Sequence, residues 1–136
     1  MEINSILDTK EARKNFLIGM VFIAKADGVV DDSELEFFHN AAVAMGIDAD
    51  IIDSCWKMDL CPQLCFSGAI QKRFFIREAV QLCCINGDYT DEEKNIVRSF
   101  ATQLGISDSV VKIFEDWVCR GMIWKREGDE LLRGDS

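Results

Sequence analysis

The chain has 136 residues, 49% of them hydrophobic, a single proline and a formal net charge of −9. The length, the apolar content and the single proline favour one mostly helical domain. The negative charge disfavours binding to nucleic acid or anionic lipid. The longest apolar run, Phe16 to Ala24, is nine residues long, less than half of the ~20 residues that span a membrane. Because the start, Met1 to Asn4, lacks the basic segment of a secretion signal, we expect a soluble cytoplasmic protein with no membrane insertion.

The first half of the chain predicts three helices in succession. After a short lead-in, Asp8 or Thr9 can cap a first helix that carries the apolar run and ends at Gly28. A second helix is expected to start at position 31 or 32 and to end at Gly46. A shorter third helix follows, and residues 58–68, which hold the only proline, are predicted to connect the two halves.

The second half repeats this scheme at an offset of 59 residues. In the first helix the aligned apolar positions are Phe16, Leu17, Met20, Val21 and Ala24, with Phe75, Ile76, Ala79, Val80 and Cys83 in the second copy. The glycine that ends the second helix recurs in the same way, since Gly105 matches Gly46. Two copies are too few for a solenoid, so we expect the units to pack face to face with pseudo-twofold symmetry.

The predicted fold class is therefore all-α, with six to seven helices in one domain that spans residues 1–136. The repeat units lie at about residues 9–58 and 68–125. The last helix is expected to run towards Trp124, and the polar segment 127–136 is predicted to be a flexible tail.

A short acidic turn occurs once in each half. It reads Asp27-Gly28-Val29-Val30-Asp31-Asp32-Ser33-Glu34 in the first half and Asn86-Gly87-Asp88-Tyr89-Thr90-Asp91-Glu92-Glu93 in the second. In each copy a capping residue, Asp31 or Thr90, stands three positions before a glutamate, which is the spacing of a capping box. Each such cap stabilises a helix start by ~1 kcal/mol without any ligand, so the turn can be purely architectural.

The same turn also matches the second half of an EF-hand calcium loop. The first half of that loop is missing, because its ligand positions hold Ile23 and Lys25 in one copy and Leu82 and Cys84 in the other. A composite site remains if the two turns approach each other, and its oxygen ligands would suit calcium, magnesium or manganese. The six candidate metal residues are Asp27, Asp31, Glu34, Asn86, Asp88 and Glu93.

Six cysteines are many for a chain of this length. Without a sign of export, buried free thiols are expected rather than disulfides. Cys61 and Cys65 have a spacing that could hold zinc at one corner, but a structural site needs a second pair of ligands, which is missing. The alternative function is a thiol-based redox or metal-linked protein that uses these two cysteines together with Cys83 and Cys84.

No sequence motif of an enzyme active site occurs, so no catalytic or cofactor-binding residue is predicted. The single histidine, His39, is expected at the surface. Trp56, Trp117 and Trp124 are expected to anchor the core or an interface. A tryptophan left exposed beside the tail would indicate a protein-contact patch.

Two groups of residues carry a family resemblance. They are Ala26-Asp27-Gly28, Glu34 and Met45-Gly46-Ile47 in the first half, and Ile85-Asn86-Gly87, Glu93 and Leu104-Gly105-Ile106 in the second. In these positions the chain resembles the TerB family of tellurite-resistance proteins and the wider TerB-like group, which includes a domain of some J-domain co-chaperones. The resemblance implies about seven helices, a role in stress resistance, no established catalytic activity, and divalent metal at Asp27, Glu34, Asn86 and Glu93. Asn86 departs from the usual aspartate and removes one charge from the second turn.

We therefore expect a non-enzymatic, acidic helical interaction module in a bacterial stress response. It would bind a protein partner, and the paired turns would bind a divalent cation.

Overall fold

A computed structural model describes residues 3–26, 28–85 and 88–134 of the chain. These residues form seven α-helices and no strand, which confirms the predicted all-α class. The helices are α1 (Ile3–Ile6), α2 (Lys10–Ala24), α3 (Asp32–Ala44), α4 (Ala49–Cys55), α5 (Ala69–Ile85), α6 (Asp91–Gln103) and α7 (Asp108–Leu132). No helix in the described ranges is both long enough and apolar enough to cross a bilayer.

The ends of the helices follow the local chemistry of the sequence. Thr9, one of the two predicted caps, accepts a hydrogen bond from the backbone N–H of Ala12 at 3.1 Å and starts α2. Gly46 and Gly105 have φ angles of 74° and 76° and follow α3 and α6. In this left-handed conformation, which glycine adopts without steric cost, the chain turns out of the helix. The predicted stops at both glycines are confirmed.

Two helices differ from the sequence prediction. The lead-in contains α1, which lies against the body of the fold because Leu7, just after it, is fully buried and the Ile6 carbonyl accepts a hydrogen bond from Gln71 at 3.0 Å. α7 does not end near Trp124 but continues to Leu132, since no proline or capping residue interrupts it. It therefore includes the first part of segment 127–136, whose flexibility stays a prediction.

α2 and α5 lie at the centre of the molecule. Residues 15–23 of α2 are all buried, so this helix has no solvent face in that stretch. Phe75 of α5 is fully buried, and its ring lies 6.0 Å from that of Phe16 and 5.4 Å from that of Phe100. All seven helices or their flanking residues contribute to this one hydrophobic cluster.

The helices of each half pack against one another. α2, α3 and α4 contact each other pairwise, as do α5, α6 and α7, and α2 also contacts α5 and α6. The division into two repeat units and the pseudo-twofold symmetry between them stay predictions.

The connector between the halves is fixed by buried groups. Leu64 is 3% exposed and lies in the core. The buried Asn15 side chain accepts a hydrogen bond from the Cys65 backbone N–H at 3.0 Å. Where the connector begins, the Lys25 ammonium donates to the carbonyls of Cys55 and Trp56, both at 3.1 Å. The connector has no helix and most of its residues are exposed, but Leu64 and the Cys65 backbone N–H attach it to the core.

Gly19 of α2 lies directly against the Phe75 side chain of α5. A Cβ atom at this position would lie 2.5 Å from two ring carbons of Phe75 and 2.7 Å from a methyl carbon of Leu64. We expect Gly19→Ala to lower the free energy of unfolding by about 1–3 kcal/mol, because the added methyl overpacks the core. Urea unfolding followed by circular dichroism measures this change.

Gly128→Ala is the matched control for this prediction. Gly128 also lies inside a helix, but an added Cβ would meet nothing within 4 Å. Alanine should leave the stability unchanged or raise it by up to about 1 kcal/mol. Equal effects of the two substitutions would contradict the packing argument.

Candidate functional site

The acidic turns begin α3 and α6. The structure describes Asp31, Glu34, Asp88 and Glu93, whereas Asp27 and Asn86 lie outside the described residues. Within residues 3–26, 28–85 and 88–134, no three His, Cys, Asp or Glu side chains are arranged to hold a metal ion. The six-residue site requires both residues that are not described, so it stays a prediction.

The first turn is a helix cap. The Asp31 carboxylate accepts hydrogen bonds from the Ser33 hydroxyl at 2.7 Å and from the Glu34 backbone N–H at 2.8 Å. The hydrogen bond from Ser33, followed by that from the Glu34 amide, lowers the pKa of Asp31. Both favour the ionised form, which also interacts well with the positive end of α3.

The second turn forms the complete capping box that its spacing predicts. The Thr90 hydroxyl accepts from the Glu93 backbone N–H at 3.2 Å, and the Glu93 carboxylate accepts from the Thr90 backbone N–H at 2.9 Å. Both carboxylates that cap these turns, Asp31 and Glu93, therefore have a structural role. The predicted helix caps at Asp31 and Thr90 are confirmed.

A polar cluster that the sequence did not indicate fixes the second turn to the last two helices. Arg98 of α6 donates two hydrogen bonds to the Glu115 carboxylate of α7, at 2.7 and 3.0 Å. Burial raises the pKa of Glu115, but the hydrogen bonds and charge of Arg98 outweigh this effect and hold the pKa below its ordinary value. The buried Tyr89 hydroxyl faces this carboxylate without a hydrogen bond of standard geometry, and its pKa is raised by burial and then by Glu115.

All six cysteines lie in the described part of the chain and are free thiols. Cys55 and Cys83 are buried as expected, whereas Cys65 and Cys119 are exposed, so the prediction of buried thiols is wrong at those two positions. Burial raises the pKa of Cys61 to about 11. A thiol with this pKa contains little reactive thiolate at neutral pH.

His39 is exposed, as predicted, and its Nδ1 lies 3.0 Å from the Asp53 carboxylate. The pair joins α3 to α4 at the surface. Both side chains are nearly half exposed, so solvent screens their interaction.

α7, with 25 residues, is the longest helix in the described part of the chain. Where it passes the last turns of α5, an open groove of about 600 Å³ lies between the two helices. The groove is lined mainly by Gln81, Ile85, Trp117, Gly121, Met122 and Trp124, and charged residues near the end of α7 complete it. The groove thus lies where the long helix α7 passes the end of α5.

The two tryptophans of this groove are open to solvent. Trp124 is 77% exposed and Trp117 is 45% exposed. The Arg77 guanidinium of α5 lies 5.7 Å from the centroid of the Trp117 ring and holds it at the edge of the groove. Trp56, in contrast, is partly buried and packs edge to face against Phe38 at 5.6 Å. A tryptophan exposed beside the C-terminal segment is the arrangement that, from the sequence, would indicate a protein-contact patch, and Trp124 has this position.

Comparison of the chain with protein-family models, curated proteins and solved structures gives no match. The resemblance to TerB-like proteins therefore rests on the quoted turn residues and stays a prediction.

The metal prediction is tested by titration of the protein with calcium, magnesium and manganese. If the turns share a cation, backbone amide resonances near Gly28 and Gly87 should move or broaden together at millimolar ion, because both turns would supply ligands. Asn86→Asp should make these resonance changes occur at lower ion concentration, because aspartate adds a negative charge to the second turn. Resonances that stay in place at both turns would exclude the site.

The Arg98–Glu115 pair predicts a pH-dependent contribution to stability. We expect Glu115→Gln to lower the free energy of unfolding by about 1–2 kcal/mol at pH 7, because a charge-assisted hydrogen-bonded pair is lost. The folded pKa of Glu115 is lowered, so its contribution is present above about pH 4.5 and is lost as the pH falls through the folded pKa. The difference between the two proteins should therefore shrink towards acid pH, as measured by urea unfolding.

Asp116→Asn is the control for this pair. Asp116 meets Lys112 at 3.7 Å, and both side chains are more than 60% exposed. Its loss should change stability by less than about 0.5 kcal/mol at any pH. A pH-independent effect of Glu115→Gln would show that its carboxylate charge is not what stabilises the fold.

Proposed function

We propose that the chain is a non-enzymatic helical module that binds a protein partner through the groove between α5 and α7. The observation that carries this proposal is the exposure of Trp117 and Trp124 at the edge of an open apolar groove. Ile85, which lines the same groove from α5, is 75% exposed. Monomeric proteins rarely leave a contiguous apolar surface of this kind open to water.

Tryptophan is well suited to such a contact. Its indole ring is one of the largest apolar groups available, and tryptophans are enriched among the residues that contribute most of the binding energy at interfaces. The Arg77 guanidinium packs on the ring of Trp117, so less conformational freedom remains to be lost there when a partner binds. A partner that buries both rings would therefore gain hydrophobic contact area on a prepared surface.

The setting we propose is a stress response, and it rests on the resemblance to TerB-like proteins. The thiol alternative has less support. Of the four cysteines it uses, Cys83 is buried, and burial raises the pKa of both Cys61 and Cys84. A redox-active thiol is usually accessible and has a lowered pKa.

Site-specific photo-crosslinking in cells tests the interaction. Benzoylphenylalanine at position 124 should give a covalent adduct with a protein, because the groove would place a partner against this side chain. Phe37 of α3 provides a matched control, since it is also aromatic and is 60% exposed, on a helix that does not line the groove. We expect adducts at position 124 to exceed those at position 37 about tenfold, because a bound partner would stay against position 124, whereas position 37 would meet other proteins only in passing.

The adducts are read by mass on denaturing gels and identified by mass spectrometry. Equal yields at the two positions would mean that position 124 reports only chance encounters, and this result would contradict the proposal. No adduct at either position would contradict it as well.

A further inference from the structure

Two glycines in α7 have no role inside the molecule. Gly121 and Gly128 lie within a helix, where glycine is less favourable than alanine by about 1 kcal/mol. Neither has a positive φ angle, and a Cβ atom at either would meet nothing within 4 Å. Gly19 shows the contrast, because there the packing against Phe75 leaves no space for a side chain. The α7 glycines thus carry a cost that the isolated fold does not explain.

These glycines belong to a regular pattern on the surface of α7. The pattern advances in alternating steps of four and three residues, which is the spacing of a coiled-coil seam. We call it the Trp–Gly face, and it consists of Trp117, Gly121, Trp124, Gly128 and Leu131. Every member is exposed, with Leu131 at 82%. Large apolar side chains and glycines, which have no side chain, alternate along this face.

We propose that the partner of the Trp–Gly face is a second copy of the chain, with the two α7 helices packed antiparallel. This inference rests on the proposed function and names its partner. In antiparallel coiled coils each residue of one seam position faces a residue of the other seam position in the partner helix. When Gly121 is placed opposite Trp124 of the second copy, Trp117 falls opposite Gly128. Each indole ring then meets a glycine, and the twofold relation repeats both contacts.

The charges beside the face match this register. Arg120 and Glu127 occupy equivalent flanking positions one heptad apart. In the antiparallel pair, Arg120 of each copy lies beside Glu127 of the other, so the dimer contains two such contacts. In a parallel pair Arg120 would instead lie beside Lys125, which has the same charge. The sequence therefore favours the antiparallel arrangement.

The distribution of charge also favours contact between two copies along the segment from Trp117 to Arg133. The whole chain has a net charge of −9, so two copies repel each other over most of their surface. Between Trp117 and Arg133, however, there are four basic and three acidic side chains. Two copies can meet along this nearly neutral segment without a large electrostatic penalty. The seam from Trp117 to Leu131 is about 21 Å long at the rise of an α-helix.

Sedimentation velocity of the purified full chain tests the inference. The wild-type chain should form a dimer in the micromolar to submillimolar range, and Gly121→Leu should raise its dissociation constant by about tenfold or more, since the new side chain occupies the space for Trp124. A Cβ atom added at Gly121 meets no atom within 4 Å in the single molecule and the position is exposed, so the monomer should keep its fold. Circular dichroism and the thermal unfolding midpoint at dilute concentration check this.

A charge exchange identifies the partner as a second copy. Arg120→Glu places two glutamates together at both flanking contacts and should raise the dissociation constant by about tenfold. Adding Glu127→Arg to the same chain restores opposite charges at both contacts and should return the constant to within about threefold of wild type. A partner with fixed charges of its own would not be rescued by this double substitution.

The results separate this inference from the proposed function. A purified chain that stays monomeric at all concentrations, or a double variant that is not rescued, overturns the second-copy inference. If the adduct at position 124 in cells then contains a different protein, the proposed function stands without it. If no adduct forms, both fail.

Discussion

The close contact of α2 with α5 is the constraint on which the rest of the structure depends. Gly19 has no side chain, so the ring of Phe75 lies directly against the α2 backbone. Phe75 is also edge to face with Phe16 and Phe100, and the connector residue Leu64 lies against the same glycine. Both halves and the segment between them thus meet at one point. Because protein interiors are close-packed, a change at this point is transmitted to every element that shares it.

The first and second halves of the chain are stabilised by different polar groups. In the first half, the Lys25 ammonium satisfies carbonyls at the end of α4. Its counterpart 59 residues later is Cys84, which cannot do this. In the second half, the Arg98–Glu115 pair joins α6 to α7 instead, and its counterparts are His39 and Trp56. The apolar pattern of the sequence thus recurs at an offset of 59 residues, while the polar contacts at the corresponding positions differ.

The features that the sequence predicted are those decided by a few neighbouring residues. A capping threonine and a glutamate three positions later interact within one turn, so the box at Thr90 was readable from the sequence. The Arg98–Glu115 pair joins residues 17 positions apart, and only the packing of two helices brings them together. The length of α7 was also missed, because the polar segment 127–136, which contains two glycines, suggested a flexible end, whereas no proline interrupts the helix before Leu132. The candidate metal site depends on a distance between two turns, which no local pattern contains.

The projecting end of α7 behaves mechanically as a lever. Arg77 packs against the helix at Trp117, and Leu131 lies about 21 Å further along at the rise of an α-helix. A tilt of about 10° at Trp117 would move Leu131 by about 4 Å over that length. A small rotation at the junction with α5 is thus amplified at the free end of the helix. Conversely, force applied at that end reaches the body of the fold through the stacked guanidinium and indole groups.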